Sequence, residues 1–370
     1  MKIVVIGSGF GGLSAAIRLQ AQGHQVTLLE QRDKPGGRAY VYEQDGFTFD
    51  GGPTIITAPW LIDDIFAAAG RKTSDYVSLV SIDPFYNIRF EDGSVFHYNG
   101  DPEQVLREIR RFNPDDVAGY LRFRARAGEI LTAGMGLIDQ PFTHMSDMAR
   151  VAPDLIRLQA WRSVYGFASK YIKDERLRQV FSFHPLLIGG NPFQASALYA
   201  LIHPLEQQWG VWFAKGGTGA LVRGMAQVFQ DIGGTLHLNT TASQIVVDET
   251  TRQATGVQLA DGAFLAADAV VSNADVAFTY LNLVPASVRR FNTDRFIRDK
   301  QYSMSLFVVY FGTDRTYEQV AHHEILMGPR YRGLLDDIFT RKRLSDDFPL
   351  YLRRPTATDP SLAPEGCDAF

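Results

Sequence analysis

One cysteine, Cys367, in 370 residues excludes an intramolecular disulfide and suits a reducing compartment. Charge of one sign is also missing. Lys and Arg number 37 against 41 Asp and Glu, a net charge of -4 that argues against a general nucleic-acid binder. No apolar run reaches the roughly 20 residues of a bilayer-spanning helix. The nearest approach, Val180 to Leu205, carries no Asp, Glu, Lys or Arg, but Pro185, Gly189, Gly190, Pro192 and Pro204 break it. The N-terminal apolar run Ile3 to Ile6 passes straight into glycines, so it reads as a buried strand and not as a signal peptide. No low-complexity tract, short repeat or Gly/Ser linker is present. His322 and His323 are adjacent, so their side chains diverge on a helix or strand, no Cys, Asp or Glu cluster completes a site, and no metal is expected.

What is present reads as α/β. Lys2 to Ile6 is a strand, a helix follows from about Gly11 to Gln22, and Gln25 to Glu30 is a second strand. Val41 to Asp50 and Phe85 to Tyr98 read as hairpins. Pro102 to about Gln208 is mainly helical, a helix opens at Gly216-Gly217-Thr218-Gly219, and short strands run to Ser272. Ser305 to Phe311 reads as a core strand. This order predicts a doubly wound, Rossmann-like dinucleotide domain that is discontinuous, with a second, largely helical α+β domain for substrate. The expected segments are 1–80 and 220–285 for the first domain, 81–219 and 286–370 for the second.

The chemistry starts at Gly7-Ser8-Gly9-Phe10-Gly11-Gly12, which satisfies G-x-G-x-x-G at Gly7, Gly9 and Gly12. The run follows a strand, opens a helix, and precedes Glu30 by 18 residues counted from Gly12. Gly7 makes the tight turn, Gly9 admits a pyrophosphate to the backbone, and Gly12 lets helix and strand pack closely. The helix start offers free N–H groups and a positive dipole end to phosphate. Glu30 is placed to accept from the adenosine ribose hydroxyls. A second loop, Lys34-Pro35-Gly36-Gly37-Arg38, selects FAD over NAD, since a flavin cofactor must pass a further backbone loop. Arg38 offers a planar, permanent cation to the pyrophosphate or the flavin end. Phe49-Asp50-Gly51-Gly52-Pro53-Thr54 supplies another close-approach turn.

These segments, Val5 to Leu13, Leu28 to Tyr40 and Gly46 to Thr54, are similar to the amine-oxidase/phytoene-desaturase superfamily. Leu158 to Tyr165, Gly189 to Phe193, Trp209 to Phe213, Gly216 to Leu221 and Ser272 to Val276 resemble bacterial phytoene desaturases more narrowly. The resemblance implies one noncovalent FAD, stepwise dehydrogenation of phytoene towards lycopene, and reoxidation of the flavin by oxygen or a quinone. It also implies work at a membrane surface without spanning it, on the cytoplasmic face. Carried onto this chain, it places Gly7, Gly9, Phe10, Gly11, Gly12, Glu30, Gln31, Gly37, Arg38, Gly52, Pro53, Thr54 and Ala242 around the cofactor. Family members continue beyond Cys367 into a glycine-rich strand-helix unit that closes over the flavin, so the expectation is a shortened chain with weak FAD retention. The alternatives are a sister activity, amine oxidase or polyene saturase or isomerase, or a catalytically silent flavin-binding fragment.

A hydrocarbon offers nothing to hydrogen-bond, so its site should be apolar. Val180 to Leu205, with Phe181, Phe183, Leu187 and Ile188, reads either as a channel or lipid-facing surface or as ordinary core. Asp147 and Arg150, three apart, share a helix face. They are the candidates for stabilising charge on a polyene as hydride leaves, or else a solvated pair. Arg341-Lys342-Arg343 and Arg353-Arg354 read as solvated surface or as contacts for anionic lipid heads.

Overall fold

A computed structural model describes residues 1–138 and 140–370. It divides into two compact units, one of residues 1–80, 212–302 and 359–369, the other of 81–211, 303–358 and 370.

The first unit is built on a parallel sheet of four strands in the order β4-β1-β2-β3. They are β1 (Lys2–Ile6), β2 (Gln25–Leu29), β3 (Thr235–His237) and β4 (Ala269–Ser272). Helices α1 (Phe10–Ala21) and α2 (Thr218–Asp231) cover one face. β1 shows no apolar-polar alternation because both of its faces are covered. Ile3 and Val5 pack among Leu13, Ile17, Val222 and Phe229 on the helical side. Val4 and Ile6 pack with Ile245, Val257 and Leu259 of an antiparallel meander formed by Ala242–Val247, Ala254–Leu259 and Phe264–Ala266. The expected hairpin appears as Val41–Gln44 paired with Phe47–Asp50.

Two boundaries differ from the sequence expectation. The chain re-enters the first unit at Trp212 and not at 220, because the Trp212 and Ile56 backbones exchange two hydrogen bonds (2.8 and 3.2 Å) and Lys215 donates to the Ser78 carbonyl at 2.9 Å. It stays there past 285, with Leu283 in the meander core and Arg252 bonded to the Val288 carbonyl at 3.1 Å. Residues 359–369, expected in the second domain, belong to the first unit: Asp359 accepts from the Gly216 N–H at 2.7 Å.

The second unit carries a four-stranded mixed sheet in the order Leu350–Arg353, His323–Leu326, Tyr86–Arg89, Val95–Tyr98. Its longest helix is Val117–Met135. The uncharged stretch after Val180 splits. Val180 to Pro185 is buried, whereas Leu187 and Ile188 are 38% and 63% exposed at a corner that turns on Gly189 (φ 79°). The residues from Leu186 to Leu205 are mostly half-buried, whereas Val180 to Pro185 is core. Its packing is aromatic, with Tyr86, Tyr98, Phe96, Phe123 and Phe181 all buried.

Inside this aromatic core lie polar groups that need partners. Glu206, 1% exposed, accepts from the Tyr86 hydroxyl at 2.7 Å and meets His184 Nε2 at 3.2 Å. His203 sits between the Tyr98 hydroxyl (2.5 Å, Nδ1) and the Tyr120 hydroxyl (3.0 Å, Nε2), and burial holds its pKa well below the ordinary imidazole value. His203 is thus neutral at pH 7, one ring nitrogen accepting and the other donating.

Ser305 to Phe311 is not a core strand. Residues 305–310 join no strand among the described residues, and Leu306, Phe307 and Val309 are 68%, 93% and 61% exposed. An apolar, β-branched run makes a strand only where a neighbour supplies its ladder. Arg341 and Arg343 are not simply solvated either. With Arg330 and Ser345 they surround the fully buried carboxylate of Asp337, at 2.9, 2.8, 3.4 and 2.8 Å. The Ser345 hydroxyl, with Arg343 and Arg330, lowers the Asp337 pKa to about 2.

Two outcomes are expected. A carboxylate whose folded pKa is depressed contributes stability above its unfolded pKa and loses it as pH falls towards the folded value. Denaturant midpoints of the wild type should therefore fall between about pH 4 and pH 2 by more than those of Asp337→Asn. At Glu206, removing the acceptor strands a buried hydroxyl and a buried imidazole. Glu206→Ala should cost about 3–5 kcal/mol in equilibrium unfolding, and Glu206→Gln distinctly less, because an amide oxygen can still accept from Tyr86.

Candidate functional site: a glycine-walled dinucleotide cradle

The β1–α1 turn is closed by a lack of side chains. Gly7 has φ 93°, and a β-carbon on Gly12 would stand 1.9 Å from the Gly7 carbonyl oxygen. α1 starts at Phe10 behind Gly9, which is extended. Among the described residues no side chain caps it and no acid lies in its first turn. Its N–H groups and dipole end are free to meet an anion.

Glu30 follows β2 and is 4% exposed. Its Oε2 accepts from the Ser8 N–H (3.0 Å) and the Ser8 hydroxyl (2.6 Å), and its Oε1 accepts from the Arg32 N–H (3.0 Å). Three donors thus fix the carboxylate. One of its roughly four lone-pair directions is left, on Oε1, which fits one ribose hydroxyl donor. The backbone beyond β3 closes in beside it, with the Thr240 N–H on the Glu30 carbonyl at 2.8 Å, two residues before Ala242 opens the meander. Gln31 is exposed beyond the strand end.

The Gly36-Gly37-Arg38 loop lies directly against the first. The Gly36 N–H donates to the Ser8 carbonyl at 3.0 Å, and a β-carbon on Gly37 (φ 57°) would stand 3.2 Å from the Gly9 Cα. Arg38 leaves this contact 90% exposed, with one guanidinium nitrogen 3.3 Å from Asp275. The third turn packs on the second, since a β-carbon on Gly52 would stand 1.9 Å from the Arg38 carbonyl oxygen. Pro53 is held by the Thr218 hydroxyl on its carbonyl (2.7 Å), and Thr54 continues from this corner.

The cofactor candidates Gly7, Gly9, Phe10, Gly11, Gly12, Glu30, Gln31, Gly37, Arg38, Gly52, Pro53, Thr54 and Ala242 all belong to the first unit. Asp147 and Arg150 belong to the second, on the helix Met145–Arg157. The structure brings this pair together, with Arg150 Nη2 3.7 Å from Asp147 Oδ1. The other Asp147 oxygen caps the helix, accepting from the N–H groups of His144 (2.9 Å) and Thr143 (3.1 Å). Arg150 also donates to Gln140 at 3.3 Å. The pair serves the helix start first.

Three participants escaped the sequence reading. Ser8 fills an unspecified position of the fingerprint, and its small polar side chain is the signal that it orients Glu30. Asp50 is buried and accepts from the Gly219 N–H at 3.3 Å, so it serves the start of α2 and is not a spacer before a glycine turn. Asn273 lies over the first glycine turn, with its Nδ2 3.1 Å from where a Gly9 β-carbon would be.

Comparison with known proteins shows the family and the fold. Residues 10–351 match the family described as flavin containing amine oxidoreductase. A lycopene-forming phytoene desaturase of Pantoea ananas is 52% identical over 370 residues, covering 99% of this chain and 74% of the relative. Another, from Pseudescherichia vulneris, is 51% identical, covering 100% of this chain and 75% of the relative. Among solved structures, a Pyrococcus furiosus protein superposes with a TM-score of 0.66 at 18% identity, covering 100% of this chain and 78% of its own, a likeness of fold. Since the match runs over residues 10–351, most of the chain, the protein belongs to the flavin containing amine oxidoreductase family.

Proposed function

We propose that this chain is an FAD-dependent phytoene desaturase, removing hydrogen stepwise from phytoene towards lycopene. The observation that carries the reading is the 52% identity to a lycopene-forming desaturase along 99% of the chain. The cradle supports it. The free start of α1 and Arg38 suit a diphosphate, and the fixed carboxylate of Glu30 suits one ribose hydroxyl. Bound there, the flavin would supply the hydride acceptor, and the proton released from the neighbouring carbon as each double bond forms would pass to solvent. Oxygen or a quinone is the proposed final acceptor. Asp147 and Arg150 are proposed to stabilise charge on the polyene from their helix start.

Incubation of the chain with FAD and phytoene in lipid vesicles should give coloured polyene with bleaching of the flavin band near its visible maximum. Retention of FMN or NAD in place of FAD, or no colour in a chain shown to hold FAD, would contradict the reading.

The substrate dissolves in lipid, and we place the working surface at a membrane. No helix among the described residues is long and apolar enough to cross one. The second unit instead exposes apolar groups at one corner: a β-carbon on Gly189 would stand 3.3 Å from Ser303 Cβ, which sets Leu187 and Ile188 beside the start of the segment carrying Leu306 and Phe307. The double variant Leu187→Asp, Ile188→Asp should lose co-sedimentation with anionic liposomes while its thermal midpoint stays within a few degrees of wild type, since exposed positions tolerate charge. Unchanged sedimentation would remove this corner from the membrane contact.

A further inference from the structure

The strand order β4-β1-β2-β3 has a switch point. From β1 the chain proceeds to β2 on one side, while β4, reached much later, lies on the other. In an open α/β sheet the ligand sits in the crevice beyond the carboxyl ends of the strands at such a point. Here that crevice is walled on the β1 side by Gly7 to Gly12. On the β4 side its wall is Asn273, the first residue past the strand, whose N–H donates to the Ile6 carbonyl at 2.8 Å.

The Asn273 side chain lies along the glycine turn. A β-carbon on Gly12 would stand 3.2 Å from Asn273 Cβ, and one on Gly11 would stand 2.5 Å from Oδ1. One on Gly9 would stand 3.1 Å from Nδ2. The carbonyl end of the amide therefore faces Gly11 in the first turn of α1, where the positive end of the helix favours an oxygen. The amide nitrogen, a donor of two N–H groups, lies beside Gly9, where a diphosphate would meet the backbone. Asn273 is exposed, so its amide is reachable from the crevice. Two residues on, Asp275 caps the next helical turn through Oδ1 and holds Arg38 through Oδ2 at 3.3 Å.

From this geometry we propose that Asn273 is a phosphate-binding residue, donating a carboxamide N–H to the cofactor's diphosphate as the third wall of the cradle. The inference rests on the FAD reading. It adds a neutral donor on the β4 side to the α1 start and to Arg38. Neutrality suits the place: a cation there would compete with Arg38 for Asp275, and an acid would repel the diphosphate.

The test is FAD affinity, followed by flavin fluorescence on the 370-residue chain, with far-UV circular dichroism as the check on folding. Asn273→Asp keeps the shape against Gly11 and Gly12, turns the donor into an anion at pH 8, and regains an O–H donor when protonated. It should bind FAD about 100-fold more weakly than wild type at pH 8, and the gap should shrink several-fold at pH 5. Asn273→Ala, which loses one hydrogen bond without adding charge, should lose about tenfold with little pH dependence. Asn273→Asp binding within twofold of wild type at pH 8, or losing the same factor at both pH values, would overturn the inference. If wild type itself shows no saturable binding of FAD, the cofactor reading falls first, and that result is distinct because it appears before any substitution.

Discussion

Backbone against backbone is the contact on which the first unit depends. The Gly7 carbonyl lies so near Gly12 that one added carbon would stand 1.9 Å from it, and the Gly52 position is equally close to the Arg38 carbonyl. Between these two contacts, Gly36 donates to Ser8 and Gly37 rests on Gly9. Three turns from residues 7–12, 36–38 and 51–54 are thus stacked at distances that side chains would forbid. The Gly51 N–H is likewise spent, on the Tyr40 carbonyl at 2.6 Å, so the N–H groups left to a ligand are those at the start of α1. Crowding that excludes β-carbons and access for a diphosphate are the same property seen from two sides.

The buried charges follow a common rule with different uses. Glu30, Asp50, Glu206 and Asp337 are each less than a tenth exposed. Burying a carboxylate is costly unless its lone pairs are occupied. Glu30 is occupied by backbone and a serine hydroxyl, which leaves its charge uncancelled and able to meet a ligand. Asp337 is occupied mainly by guanidinium groups, which neutralise it and make it a clasp for the segment 330–345. Glu206 is occupied by a phenol and an imidazole within an aromatic core, where it fixes Tyr86 and His184 relative to each other. The donor type separates a ligand-facing acid from a structural one.

Legibility in the sequence follows the range of the interaction. The βαβ opening, the hairpins at Val41 and Phe85 and the helix after Gly217 rest on local periodicity and glycine positions, and they appear within a residue or two of where the pattern sets them. Ser305 to Phe311 has the same local credentials and fails, since a strand needs a partner that its own residues do not encode. The boundary at Trp212 was hidden for a related reason: it is set by pairing with Ile56, more than 150 residues earlier. In the candidate site the glycines and Glu30 were readable from spacing. Ser8 and Asn273 were not, because their partners are specified by the meeting of β1 with β2 and β4.

The two glycine-rich helix starts show how the fold assigns a role that the motif alone leaves open. Gly7 to Gly12 opens α1, and Gly216 to Gly219 opens α2, each with a positive-φ glycine before the helix. By pattern alone either could hold a phosphate. In the structure the start of α2 is already served. Asp50 accepts from the Gly219 N–H, its carboxylate would stand 2.6 Å from a β-carbon on Gly217, and Asp359 accepts from the Gly216 N–H. An anion arriving there would meet two carboxylates. The turn before α1 meets one carboxylate, Glu30 on Ser8, while the helix start itself is bordered by the Asn273 amide and by the bare backbone of Gly36 and Gly37. The acids of this unit are placed so that one dipole end is neutralised internally and the other is left for the cofactor.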